Sequence, residues 1–129
     1  MPTEALNVVP VEHEARVVYR VVATADRESS ELVDSFKSSQ MLGLPPRQGS
    51  PEARFNLIHS GISCFRTRRQ AEKQALRWGL GDYVAEVQLQ PGAGICLAEW
   101  GSRGHMTIWA DAVKLRDMTV DIMAVRQET

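Results

Sequence analysis

Three short stretches hold the residues of this 129-residue chain best equipped for chemistry: Tyr19-Arg20, Ser63-Cys64-Phe65-Arg66-Thr67, and His105-Met106-Thr107-Ile108-Trp109. Arg20 lies two residues from both Val18 and Val22 in a run that reads as buried. Its guanidinium must therefore reach water through a cleft or hold a partner anion, because an unpaired buried charge is very costly. Ser63 and Thr67 contribute hydroxyls. His105 contributes an imidazole that suits binding a phosphate or acting as an acid; its other reading is a strand histidine bonded to backbone. Trp109 is a stacking platform for a base or a core residue. Cys64, His105 and Asp111 have the composition of an activated thiolate, but any small domain allows such a triplet to be named, and reduced, buried thiols are the simpler expectation for Cys64 and Cys96. Glu86, Glu99 and Asp111 are the carboxylates open to acid–base work, with no mutual spacing that assigns them a role. The histidines at 13, 59 and 105 and the two cysteines form no metal-ligand motif, and no zinc site is predicted. The glycine-rich phosphate loops and the nucleophile-elbow and zincin motifs are also missing.

The elements that must carry these groups follow from periodicity. Arg16 to Ala23 is a β-branched run too short for a helix and predicts a buried strand. Asp26 to Lys37 places Leu32, Val33 and Phe36 behind several capping candidates and predicts an amphipathic helix. Leu44 to Pro51, with adjacent prolines and Gly-Ser-Pro, predicts a long loop. Leu57 to Phe65 predicts a strand interrupted at Gly61, where a ligand or a neighbouring chain segment can approach the backbone. Thr67 to Gln70 fits a capping box opening a helix over about 68–78, with Ala71, Ala75 and Trp78 as its apolar stripe and Gly79 as its stop. Tyr83 to Leu89 alternates, with Tyr83, Ala85, Val87 and Leu89 on one face and Val84, Glu86 and Gln88 on a wetter one. Further strands are predicted at 95–98, 106–110 and 119–125, with a short helix that Asp111 caps between the last two. Two helices followed by a run of strands predict an α+β domain built on a mainly antiparallel sheet. Residues 1–15 read as a lead-in and 16–129 as one domain.

Composition narrows the class. The chain is 43% hydrophobic and 24% charged with a net charge of −1, values of an ordinary folded domain. No apolar run is long enough for a membrane span, and the acidic N-terminus lacks the form of a signal peptide, so a cytoplasmic location is expected. The charges are unevenly spread. Arg54, Arg66, Arg68, Arg69, Lys73 and Arg77 face a single acid, Glu72, over that stretch. A local cationic segment in an otherwise acidic chain suits one small anionic ligand or an acidic protein partner better than a nucleic-acid-coating surface, and a solvated helix face explains such a run as well.

The order of a Tyr-Arg strand, a helix, a loop, a Gly-x-Ser-x-Phe-x-Thr strand into an Ala-rich helix and a Tyr-Val-Ala-Glu-Val strand resembles the small bacterial members of the ADP-ribosyltransferase-like superfamily, including the RES-domain toxins. The resemblance spans about Val17 to Val125. It implies NAD as cofactor, with Arg20 holding it and Ser63 with Thr67 supporting the nicotinamide ribose; the catalytic candidates are then Arg20, Ser63 and His105, and the cofactor-binding candidates Arg20, Ser63, Thr67 and Trp109. The chain departs from the family pattern twice. Ser63-Cys64-Phe65 stands where Arg-type transferases carry Ser-Thr-Ser, and Gly104-His105-Met106 stands where a Glu-x-Glu would introduce the late strand. His105 thus takes the place of the carboxylate that stabilises an oxocarbenium-like transition state, and Glu99 is the nearest carboxylate upstream. The function implied is binding of NAD or a related nucleotide, with cleavage or transfer from it. The competing expectation is a non-catalytic interaction domain that docks an acidic protein through its basic helix.

Overall fold

The computed structural model describes residues 8–37, 61–99 and 105–126. Four valines in the seven residues Arg16–Val22 stiffen the chain into an interior strand of the sheet. In chain order the elements are β1 (Val9–Pro10), β2 (Arg16–Val22), α1 (Ser30–Ser35), β3 (Ile62–Phe65), α2 (Arg68–Trp78), β4 (Tyr83–Leu89), β5 (Cys96–Glu99), β6 (His105–Trp109), α3 (Ala112–Asp117) and β7 (Thr119–Ala124). The strands form one antiparallel sheet in the order β1-β5-β6-β3-β2-β4-β7, so the α+β class expected from the sequence is observed. The predicted loop at 44–51 and the first part of the strand predicted at 57–65 lie outside the described residues.

Side-chain alternation divides the core into two layers. One face carries Val18, Val22, Ile62, Cys64, Ala85, Val87, Leu89, Met106 and Ile108, covered by Leu32 and Phe36 at α1 and by Ala112 and Leu115 of α3. The other carries Val21, Phe65 and Val84 beneath Ala71 and Ala75 of α2. Val84 is therefore fully buried on the face of β4 that sequence alternation makes wet, because α2 roofs it. The described part of the lead-in, from residue 8, also joins the sheet, which its sequence does not suggest. Val9 and Pro10 pair with Leu97 and Cys96, and Val11 is buried in the first layer.

The α2 boundaries follow from local chemistry. Thr67 is extended, its hydroxyl accepts from the Gln70 backbone N–H, and the Gln70 side chain accepts from the Thr67 backbone N–H. This reciprocal pairing satisfies donors that the first helical turn leaves open. At the other end Gly79 takes φ 62°, the left-handed conformation that glycine adopts without a Cβ penalty. The predicted apolar stripe needs one correction: Ala71 and Ala75 are buried, whereas Trp78 is 63% exposed.

Helix α2 is also fastened electrostatically. Glu72, only 5% exposed, accepts from the Arg126 backbone N–H at 2.8 Å and from its guanidinium Nη2 at 2.5 Å. Arg68 Nε lies 3.6 Å away on the same helix, and Arg68 Nη2 donates to the Ala124 carbonyl. Hydrogen bonding from the Arg126 side chain, the largest influence, holds the Glu72 carboxyl below its usual range despite burial. The single acid of the cationic stretch is thus the post to which the end of β7 is tied.

Two outcomes test this framework. Thr67→Ala should lower unfolding free energy by about 1 kcal/mol through the lost cap, read as a drop in the urea midpoint at constant slope. Glu72 has a depressed folded-state pKa, so its contribution is present above the ordinary glutamate range and disappears as pH falls through the folded value. Glu72→Gln should therefore melt below wild type at neutral pH, with the gap closing on acidification; a gap independent of pH contradicts the ionic clasp.

Candidate functional site

The sheet has a seam. β2 joins β4 along its whole length, from Arg16↔Leu89 to Val22↔Tyr83, and β3 joins β6 from Ile62↔Ile108 to Phe65↔His105. β2 and β3 share a single registered pair, Tyr19↔Phe65. The two halves of the sheet meet there, and candidate residues from three strands gather around this junction.

Arg20 spans the seam from the α1 side. Its Nη1 donates to the Ser63 carbonyl at 2.6 Å and its Nε to the Ser35 carbonyl at 3.0 Å. The partners that its burial requires are thus backbone carbonyls: one in a ladder gap of β3, the other at the C-terminus of α1, where a cation meets the negative end of the helix. Among the described residues no carboxylate pairs with it. Arg20 as a residue is partly exposed, yet burial of its charged group lowers its pKa, offset in part by the nearby Cys64.

Ser63 turns its side chain the other way. Its hydroxyl meets His105 Nε2 in a hydrogen bond across β3 and β6. The His105 ring stacks on Phe65, with centroids 4.9 Å apart and planes at 22°. Thr107 and Trp109 follow on the same face. Trp109 packs over Gly61, where an added Cβ would collide with Thr107 Cγ2 and stand 2.9 Å from the indole. The close approach expected at Gly61 is thus made by a neighbouring strand's side chain.

The sequence-derived residues therefore divide. Ser63, His105 and Trp109 share one face, on which Thr67 follows β3 with its hydroxyl engaged as the α2 cap. Arg20 stands on the opposite face and reaches Ser63 only through the backbone, so the structure does not bring the Arg20 guanidinium and the Ser63 hydroxyl into one side-chain cluster. Cys64 is likewise on the Arg20 face, opposite Met106, and Asp111 caps α3 by accepting from the Lys114 N–H. The thiolate triplet is not assembled.

The carboxylates are placed with equal clarity. Glu99 is bound to Arg16 at 3.0 Å and Arg66 at 2.7 Å. Glu86 is on the Ser63–His105 face and accepts from the Tyr19 hydroxyl at 3.2 Å; burial first, then this carboxylate, raise the Tyr19 pKa. Glu86 stands three strands from His105, about 14 Å at the usual strand spacing. Sequence reasoning missed the Tyr19–Glu86 pair: alternation puts Glu86 on the wetter face of its strand, and only the pairing of β2 with β4 sets Tyr19 opposite it. Among the described residues no group of three or more His, Cys, Asp or Glu side chains could hold a metal ion, and no helix is long and apolar enough to cross a membrane.

Comparison with known protein families, curated proteins and solved structures finds no match to this chain.

The cysteines give a direct check on the two faces. Burial pushes the Cys64 thiol up to about 12, so its thiolate is scarce at neutral pH. Cys96, expected to be buried, is partly exposed. Alkylation of the native protein followed by mass spectrometry should label Cys96 first and Cys64 only on unfolding.

Proposed function

We propose that the domain binds NAD or a chemically related nucleotide beside the seam, in the manner of an ADP-ribosyltransferase-like protein, with Ser63 and His105 as the polar pair that meets the ligand. The observation that carries this reading is the Ser63–His105 hydrogen bond at a junction fastened by Arg20. Residues far apart in sequence, singled out for their chemistry, converge there on neighbouring strands.

The pair has two modes. With His105 neutral and Nε2 as acceptor, the Ser63 hydroxyl donates to it and its oxygen is left rich in electron density, suited to a ribose hydroxyl. With His105 protonated, Nε2 becomes a charged donor and attracts a phosphate. Phe65 fixes the plane of the ring in both. Arg20 has a positioning role in this reading: by holding the Ser63 carbonyl it sets the backbone from which the hydroxyl projects.

The same geometry favours binding over fast glycosidic cleavage. An oxocarbenium-like centre gains several kcal/mol from a preorganised adjacent charge. Glu86 is too distant to serve a ligand atom held at Ser63, and Glu99 is engaged with two arginines.

Calorimetric titration of NAD and ADP-ribose tests the proposal. Wild type should bind saturably, and Ser63→Ala and His105→Ala should each bind at least about tenfold more weakly, a loss of roughly 1.4 kcal/mol, with circular dichroism showing that both fold. Arg20→Lys should weaken binding together with thermal stability, because one ammonium cannot reproduce two divergent carbonyl contacts. Equal affinities for wild type and the Ser63 and His105 variants, or no binding by wild type, remove the nucleotide reading.

A further inference from the structure

The C-terminal end of α2 is an apolar knuckle on the surface. Leu76 is 42%, Trp78 63% and Leu80 55% exposed, within five consecutive residues that all face solvent. Single exposed apolar residues are ordinary, but three within one helical turn and its cap form a concentrated patch.

Trp78 is held in place. Its indole Nε1 donates to Gln74 Oε1 at 2.9 Å, and the Arg77 guanidinium carbon lies 5.1 Å from the ring centroid. One contact fixes the ring edge and the other covers a face with a cation. A large side chain fixed before binding loses little conformational entropy when a partner arrives. Tryptophan and arginine are also the residue types that most often dominate interface energetics.

The surrounding charge is positive and available. Of the six cations in the stretch, Arg66 is paired with Glu99 and Arg68 lies against Glu72. Arg69, Lys73 and Arg77 are exposed at four-residue spacing along the outer face of α2, and among the described residues none forms an ion pair with them. From Lys73 to Tyr83 the only acid is Asp82, beyond the helix.

We infer that this knuckle is a docking surface for an acidic, amphipathic protein segment, whose apolar side chains cover Leu76, Trp78 and Leu80 while its carboxylates meet Arg69, Lys73 and Arg77. Charge complementarity selects an acidic partner, and the two leucines select one with aliphatic side chains to bury. A nucleic acid satisfies only the first condition. Three cations on a chain of net charge −1 also give little of the multi-phosphate neutralisation on which nucleic-acid affinity rests. The surface lies at the far end of α2 from Thr67 and the inference is independent of the nucleotide reading, which the titration below does not involve.

The test is a two-dimensional amide NMR titration of the full chain with a synthetic amphipathic peptide carrying Glu on one flank and Leu on the other. Saturable shifts should centre on residues 73–80, weaken as salt is raised, and require at least about tenfold more peptide for Trp78→Ala and for Arg77→Glu. Both positions are exposed, so the variants should fold, and their spectra show it directly. The same peptide with Gln for Glu should bind distinctly less well. Equal binding of the Gln peptide, absence of saturable shifts at 76–80, or stronger perturbation of those residues by oligothymidylate or by phosphatidylglycerol vesicles overturns the inference.

Discussion

A charged group buried among valines needs partners, and the answer found by Arg20 organises the centre of this protein. Two of its donors go in divergent directions, Nε to the end of α1 and Nη1 to the backbone of β3. Because β2 and β3 share one registered pair, these bonds compensate for ladder hydrogen bonds that the seam lacks. Helix α1, strand β2 and the strand bearing Ser63 are thus held by one planar fork. Replacing it with an apolar side chain would remove the charge but leave carbonyls in need of donors.

The seam also explains why the chemistry of the molecule is divided between two environments. On the Arg20 side the sheet is packed under α1 and α3, and the same burial that lowers the arginine pKa raises that of Cys64. On the other side Ser63 and His105 stay partly accessible, next to the buried Phe65 and the roof made by α2. A polar pair that is to exchange hydrogen bonds with a ligand belongs on the second side. The strand backbone of β3 belongs to both, and it mechanically connects the arginine to the serine.

Local rules made much of this legible. The capping box at Thr67, the left-handed stop at Gly79, the cap at Asp111 and the alternation of β4 are determined by residues within a few positions of one another, and each is found where the sequence places it. What local pattern could not supply was tertiary. Arg20 was recognisable as a group in need of a partner, but that the partners are carbonyls 15 and 43 residues away depends on how β3 meets β2. Trp78 fits the buried stripe by helical spacing, yet Ala75 is the last residue of α2 to be buried and Trp78 is exposed, because spacing alone does not say how far along the helix the packing extends. Val9 and Pro10 lack a strand signature because their order comes from β5.

The clasp at Glu72 bears on how the chain acquires this structure as it is synthesised. α2 is complete, with cap and stop, once residue 79 has been made, but its buried carboxylate acquires Arg126 only 54 residues after Glu72 itself. Until then, closing α2 onto the sheet would desolvate a carboxylate with Arg68 alone to compensate it. β2 similarly waits for β3 and β4, both of which follow it in the chain. The helix is thus a local structure formed early and a tertiary element locked late, when Arg126, just beyond β7, secures the roof over β2, β3 and β4.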